Sequence, residues 1–127
     1  MFETPNHIIV MSSDMNRSIT FYKETLGLTS VFESENWSEF KMGQINLALH
    51  SGAKPQDKEV QGDEPHSEKA GQASISFDVK DLDEVFQKLS AKGVLFSLEP
   101  TLREDEGIRL AIACDPDGFE ICFAQRI

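Results

Sequence analysis

The chain has 127 residues, 39% of them hydrophobic and 27% charged, and this length and composition fit one compact domain. Its 22 Asp and Glu residues against 12 Lys and Arg give a formal net charge of −10, so most of the surface would repel a phosphate backbone and nucleic acid is not an expected partner. No apolar run approaches the roughly 20 residues that span a bilayer, and the first residues lack the basic and apolar regions of a signal peptide. We therefore expect a soluble cytoplasmic protein with no membrane partner.

The first half of the chain predicts a strand, a helix and three further strands. An apolar strand covers residues 7–11, and Asp14 follows as a helix N-cap. Apolar side chains then recur at helical spacing until Gly27, which ends the predicted helix. The three strand-like segments after it are residues 29–32, 37–42 and 45–50.

The second half repeats this order. Residues 74–79 alternate polar and apolar side chains, as a half-buried strand does. Asp81 and Glu84 form a capping-box pattern, and Gly93 ends the helix that follows. The three strand-like segments after it are residues 94–98, 108–114 and 119–124.

The repeat indicates an internal duplication. Asp14 and Asp81 are 81 − 14 = 67 positions apart, and His7 and Ser74 are separated by the same distance. We predict one α+β domain of two modules, at about residues 1–50 and 73–127, because neither half alone buries a core. The polar connector between them, residues 51–72, has no apolar periodicity.

The two cysteines flank a strong turn signal, residues 115–118, with the sequence Asp-Pro-Asp-Gly. A hairpin centred on this turn would place Cys114 near Phe119 and Cys122 near Ala111. The thiols would not be opposed, so no disulfide is expected.

Strand alternation divides the side chains between two faces, one apolar and packed under the helices, the other mixed in polarity. A curved sheet that presents the mixed face inward would form a semi-polar cavity, the usual kind of small-molecule site. Trp37 would stack there on a flat ligand or pack at a dimer interface, and Glu39 and Glu120 are candidate carboxylates. The expected cavity residues are His7, Ile9, Met11, Trp37, Glu39, Asn46, Ala48, His50, Ser74, Ser76, Glu120 and Cys122.

Four ordered motifs together resemble the vicinal oxygen chelate superfamily of glyoxalases, bleomycin-resistance proteins and dioxygenases. They are His7 at the start of the first strand, residues 18–28 with Phe-Tyr and Leu-Gly, residues 79–82, and residues 115–121. The resemblance implies paired βαβββ modules that form an open curved barrel, usually within a homodimer. It also implies, for enzymatic members, a divalent metal (Zn, Ni, Mn or Fe) that acts as a Lewis acid.

The ligand positions of that superfamily match this chain poorly. His7 fills the first position, but Ala48, Ser74 and Cys122 stand at the other three. The resemblance therefore implies that the standard metal site is lost and that no cofactor is bound. A rearranged set of His7, His50, Glu120 and Cys122 is the alternative metal site. Apolar neighbours and Glu120 would raise the pKa of the Cys122 thiol, which favours a small buried residue over a nucleophile.

Three functions follow, and none assigns a catalytic residue. The preferred function is a protein of the glyoxalase/bleomycin-resistance kind that binds a small molecule in the semi-polar cavity without the standard metal site. The second is a glyoxalase I-like lyase or related metalloenzyme with rearranged ligands. The third is a pseudo-enzyme that acts through its dimer surface. Whether the chain is an enzyme stays open at this point.

Overall fold

The computed structural model describes residues 1–55 and 70–127. The chain divides into two compact units, Met1–Gln56 and Asp57–Ile127. Most of the predicted connector lies outside the described residues, and its described parts, residues 51–55 and 70–72, form no helix or strand. The organisation of the two units as one domain stays a prediction.

The first unit is a four-stranded sheet with one helical segment. Its strand order is β1-β4-β3-β2, in which β1 is parallel to β4 and the other neighbours are antiparallel. The elements are β1 (His7–Met11), α1 (Met15–Thr20), a π-helical turn (Phe21–Thr25), β2 (Ser30–Phe32), β3 (Trp37–Met42) and β4 (Ile45–His50).

The helix of the first unit differs from the prediction. Asp14 caps α1 as expected, because its Oδ1 accepts a hydrogen bond from the Arg17 backbone N–H at 3.1 Å. After Thr20, however, the chain widens into the π-helical turn, and the Leu26 N–H donates to the Phe21 carbonyl five residues back. Phe21 and Tyr22, the first two residues of this turn, are both buried.

The second unit repeats the architecture. Its strand order is β5-β8-β7-β6, with β5 parallel to β8, which is the pattern of the first unit. This confirms the α+β fold with two βαβββ modules. The elements are β5 (Ile75–Asp78), α2 (Leu82–Ala91), β6 (Leu95–Arg103), a 3-10 turn (Glu104–Glu106), β7 (Ile108–Cys114) and β8 (Glu120–Arg126).

The strand β6 runs five residues beyond its predicted end at Leu98. Its pairing with β7 shifts register between Phe96 and Leu98 and again between Leu98 and Thr101. Because β6 is an edge strand, these irregularities accommodate Pro100, which has no N–H to donate to a ladder. The strand therefore continues past the proline to Arg103.

Two acceptors hold the start of α2. Asp81 Oδ1 accepts from the Glu84 N–H at 3.1 Å, as the capping pattern predicts. Gln125 Oε1 of β8 accepts from the Leu82 N–H at 2.7 Å, a contact that the sequence did not predict. The side chain of Leu82 is fully buried, so the first turn of α2 is fixed against the sheet.

The turn between β7 and β8 is one residue longer than predicted. Cys114 pairs with Glu120, not Phe119, and Cys122 pairs with Ile112, not Ala111. The reason is that Asp115 closes a wider loop, since its N–H donates to the Phe119 carbonyl and its Oδ1 accepts from the Phe119 N–H at 2.8 Å. Both cysteines are free and buried, which confirms that they form no disulfide.

The apolar faces of the two sheets form the cores of their units as predicted. Within the described ranges, no helix has the length and apolar character needed to cross a membrane. The fully buried side chains of the first unit include Tyr22, Phe40, Leu47 and Leu49, and those of the second include Leu82 and Ile121.

Candidate functional site

The mixed face of the first sheet carries three rows of three side chains from β1, β4 and β3. The register places each side chain of β4 beside one of β1 and one of β3. We call these residues the mixed patch. Its rows are Met11, His50 and Trp37 in the first; Ile9, Ala48 and Glu39 in the second; and His7, Asn46 and Lys41 in the third.

The centre of the mixed patch is covered by two rings. His7 and Trp37 stand at opposite corners, about 13 Å apart along the strands and about 10 Å across them. Their ring centroids nevertheless lie only 5.3 Å apart, edge to face, so both side chains must reach inward over Ala48. Ala48 has no exposed surface, which agrees with this arrangement. Ala48 is the smallest side chain of the patch, and it leaves space for the indole of Trp37, which is the largest.

Trp37 is fixed by the carboxylate beside it. Its Nε1–H donates to Glu39 Oε1 at 2.9 Å, and the Asn46 Nδ2–H donates to Glu39 Oε2 at 3.1 Å. The hydrogen bond from Trp37, then that from Asn46, and electrostatic attraction to His7 lower the pKa of Glu39 against the opposing effect of partial burial. Glu39 is therefore a fixed anion at neutral pH.

His50 is the second ring that contacts Trp37. The two ring centroids lie 6.0 Å apart at an interplanar angle of 90°. His50 Nδ1 lies 2.7 Å from the Ser51 carbonyl oxygen, and only a protonated Nδ1 can donate to a carbonyl. In the neutral ring, Nε2 is then the acceptor.

Two apolar side chains complete the open part of the mixed patch. Ile9 is 52% exposed and Met11 is 50% exposed, although both are large and apolar. They lie on β1, on the side of the patch away from Glu39. The patch therefore offers an apolar side on β1 and a polar side on β3, which carries Glu39 and Lys41, with Trp37 reaching between them.

The corresponding face of the second sheet is packed differently. Cys122 is buried in a cluster with Leu110 and Ile112. Burial, and then the charge of Glu120, raise the pKa of the Cys122 thiol, while a hydrogen bond with Ser74 opposes them. The direction is the one expected from the sequence, and it makes this thiol a poor nucleophile.

The remaining predicted residues of the second unit lie beside Cys122 on the same face of its sheet. Ser76 pairs with Cys122, Ser74 and Ser76 are exposed, and Glu120 is half-buried opposite Cys114. Arg109, near the 3-10 turn, forms a two-point ion pair with Asp83 of α2, with N–O distances of 2.9 and 3.1 Å. The predicted site residues are therefore grouped in two places, the mixed patch of the first sheet and the face of the second sheet around Cys122.

Sequence reasoning missed one member of the patch. Lys41 follows Trp37 and Glu39 at alternate positions of β3, so strand alternation alone would have placed it on the same face. The contact between His7 and Trp37 had no sequence signal, because it joins two strands that are not neighbours in the sheet.

Residues 4–123 match the family model of the Glyoxalase/Bleomycin resistance protein/Dioxygenase superfamily. The chain belongs to this superfamily. The resemblance that the sequence motifs indicated is thereby confirmed.

Individual superfamily members are similar along most of the chain. The uncharacterized protein YraH of Bacillus subtilis is 31% identical over an alignment of 115 residues, which covers 87% of this chain and 88% of YraH. The metallothiol transferase FosB of Staphylococcus saprophyticus is 27% identical over 120 residues, which are 94% of this chain and 75% of FosB. A glyoxalase/dioxygenase structure from Nostoc punctiforme has a TM-score of 0.77 at 20% identity, covering 98% of this chain and 91% of that one, and shares the fold.

Divalent metals are common in the superfamily, but the residues at its ligand positions do not fit one here. His7 packs its ring against Trp37, Ala48 offers no donor atom, and Cys122 lies among apolar side chains. Within residues 1–55 and 70–127, no three His, Cys, Asp or Glu side chains come together as a metal-binding group. The rearranged set stays a prediction, with His7 and His50 in the first unit and Glu120 and Cys122 in the second.

Proposed function

We propose that this superfamily member binds a small organic molecule on the mixed patch and does so without the superfamily's metal. The observation that carries the proposal is the network around Trp37, whose ring contacts His7 and His50 and whose N–H is bonded to Glu39. The homodimer and the cytoplasmic location stay predictions.

The physical support is preorganisation. A tryptophan held by three neighbours loses little conformational freedom when a ligand contacts it, and that loss is a main cost of binding. The exposed Ile9 and Met11 supply apolar contact area beside it. Small-molecule sites combine such apolar surface with a few fixed polar groups, and here the polar groups are Glu39 and Asn46.

The test uses the chain's single tryptophan. Isotope-labelled protein, dialysed against chelator, is screened with a fragment set of cationic, neutral and anionic aromatic compounds. We expect several fragments to shift the indole N–H cross-peak of Trp37 and the backbone signals of Ile9 and Met11. A screen in which no fragment shifts these signals would overturn the proposal.

Two variants test whether the fragments bind at the mixed patch. Met11→Ala should weaken every fragment that shifts the Trp37 cross-peak, because it removes exposed apolar area from the mixed patch. Leu102→Ala is the matched control, since Leu102 is a similarly exposed apolar residue of the second unit. Equal weakening by both variants would show that the fragments adhere to exposed apolar surface in general.

The second candidate function is a glyoxalase I-like lyase or related metalloenzyme with rearranged ligands. It is favoured by the similarity to a protein named metallothiol transferase. It predicts retention of Zn, Ni or Mn after purification and thiol-addition or proton-transfer activity that a chelator abolishes. The metalloenzyme function would be eliminated if the purified protein retains none of these metals and shows neither activity when Zn, Ni or Mn is added.

A further inference from the structure

The Glu39 carboxylate can accept more hydrogen bonds than the described residues donate to it. Each carboxylate oxygen can accept two hydrogen bonds, and among the described residues Trp37 supplies one to Oε1 and Asn46 supplies one to Oε2. One further acceptor position is left on each oxygen. Two parallel acceptors on one carboxylate match the paired N–H donors of an amidinium or guanidinium group.

We infer that the ligand of the mixed patch carries a planar cationic nitrogen group, an amidinium or guanidinium, that pairs with Glu39. The inference rests on the proposed function and names its ligand class. A neutral ligand would gain less from a fixed carboxylate, and a carboxylate or phosphate ligand would be repelled by it.

None of the groups of the mixed patch that can carry a positive charge is hydrogen-bonded to Glu39 in the described part of the chain. The other titratable groups of the mixed patch are His7 on β1, His50 on β4 and Lys41 on β3. Lys41 is exposed in the row beside Glu39, whereas both Glu39 oxygens are bonded to Trp37 and Asn46. The chain as a whole carries a net charge of −10, which attracts a cation from a distance.

The apolar residues of the patch indicate what the rest of the ligand is. The indole N–H edge of Trp37 points to the Glu39 carboxylate, so a group that pairs with Glu39 lies beside this edge of the ring. Beyond Trp37, the exposed Ile9 and Met11 offer apolar surface. An amidinium or guanidinium attached to a flat apolar body satisfies both sides.

Four matched probes test the inference: benzamidine, benzylamine, benzamide and benzoate. They share one ring and differ in carrying a planar cation, a point cation, a neutral amide and an anion. Dissociation constants come from the Trp37 cross-peak at neutral pH. We expect benzamidine to bind about tenfold more tightly than benzamide, the ratio that one charge-assisted hydrogen bond provides. Benzylamine should fall between them, and benzoate should bind most weakly.

Glu39→Gln should reduce the preference for benzamidine over benzamide to within about twofold. The control is Glu35→Gln, which removes an exposed carboxylate from the same unit and should leave the preference intact. A second measurement does not depend on the folding of a variant. Raising the salt concentration should weaken benzamidine binding to the natural protein and leave benzamide binding unchanged.

The outcomes separate the inference from the proposed function. Binding of benzamide or benzoate at the Trp37 cross-peak with no preference for benzamidine overturns the ligand class and leaves small-molecule binding standing. A preference that survives Glu39→Gln also overturns the inference, because the selectivity would then come from another group. Failure of every aromatic probe to shift Trp37 overturns both.

Discussion

The indole N–H of Trp37 donates a 2.9 Å hydrogen bond to the carboxylate of Glu39, two positions further along the same strand. Residues two apart on a strand share a face, so the bond lies along the mixed patch of the first sheet. The same indole contacts His7 across the sheet. One aromatic side chain is thereby fixed by a carboxylate on its own strand and by a ring two strands away.

The Trp37–Glu39 bond should contribute measurably to stability. Glu39→Gln removes the charge from an acceptor that holds two donors, and we expect the free energy of unfolding to fall by about 1 kcal/mol, which is below the usual range for hydrogen bonds to charged groups because solvent screens this partly exposed group. Urea denaturation followed by Trp37 fluorescence measures the change. Glu35→Gln, at an exposed position, should alter it by no more than a few tenths of a kcal/mol.

The contribution of Glu39 should depend on pH in one direction. Its pKa in the folded protein lies below the ordinary value of 4.5, so its stabilisation is fully present above pH 4.5 and is lost as the pH falls through the lower folded value. His7, His50 and Lys41 also face this group. The stability difference between the natural protein and Glu39→Gln should therefore shrink as the pH falls below about pH 4. A difference that grows as the pH falls below about 4 would contradict this account.

Filling the centre of the mixed patch should be costly. Ala48 is fully buried beneath the rings of His7 and Trp37, and Ala48→Leu would push them outward. We expect a loss of about 1–3 kcal/mol in the free energy of unfolding and a red shift of Trp37 emission. Ala91→Leu, at the exposed end of α2, serves as the control. An Ala48→Leu protein with unchanged emission would show that the rings do not meet over Ala48.

The start of α2 depends on an acceptor from β8. Gln125→Ala removes the oxygen that accepts from the Leu82 N–H, and we expect a loss of about 1 kcal/mol, the typical value of a helix cap. Gln87→Ala, at an exposed position of the same helix, should be neutral or slightly stabilising. Thermal unfolding followed by circular dichroism measures both, and equal effects would rule out a capping role for Gln125.

The two thiols should be unreactive in the folded protein. Burial raises the pKa of Cys114 and of Cys122, and Glu120 adds to both. An aromatic disulfide reagent at neutral pH should therefore label the native protein far more slowly than the urea-unfolded chain. Labelling of Cys122 at the rate of the unfolded chain would restore it as a candidate nucleophile.

Local sequence patterns predicted most of the fold. The strands at residues 37–42 and 45–50 and the caps at Asp14 and Asp81 were correct because alternation and capping chemistry act over a few residues. The π-helical turn was not predicted, because its five-residue spacing leaves no distinct periodicity. The turn before β8 was one residue off, because the side chain of Asp115 widens it.

The sequence could predict which residues share the face of the sheet that forms the site, but not the contacts between their side chains. Alternation placed Ile9, Ala48 and His50 together because successive side chains of a strand point to opposite sides. It could not show that His7 and Trp37 meet, because that contact depends on side-chain rotamers and on the small size of Ala48. Burial of Cys122 among apolar side chains likewise depends on packing.

The metal dependence of ligand binding at Trp37 tests the central claim most directly. Chelator-dialysed, isotope-labelled protein is titrated with each fragment that shifts the Trp37 cross-peak, before and after addition of one equivalent of Zn²⁺, Ni²⁺ or Mn²⁺. Binding on the mixed patch without a metal predicts dissociation constants that agree within about twofold in all conditions. Fragments that shift Trp37 only after a metal has been added would contradict the account. The metal-dependent function would then be favoured.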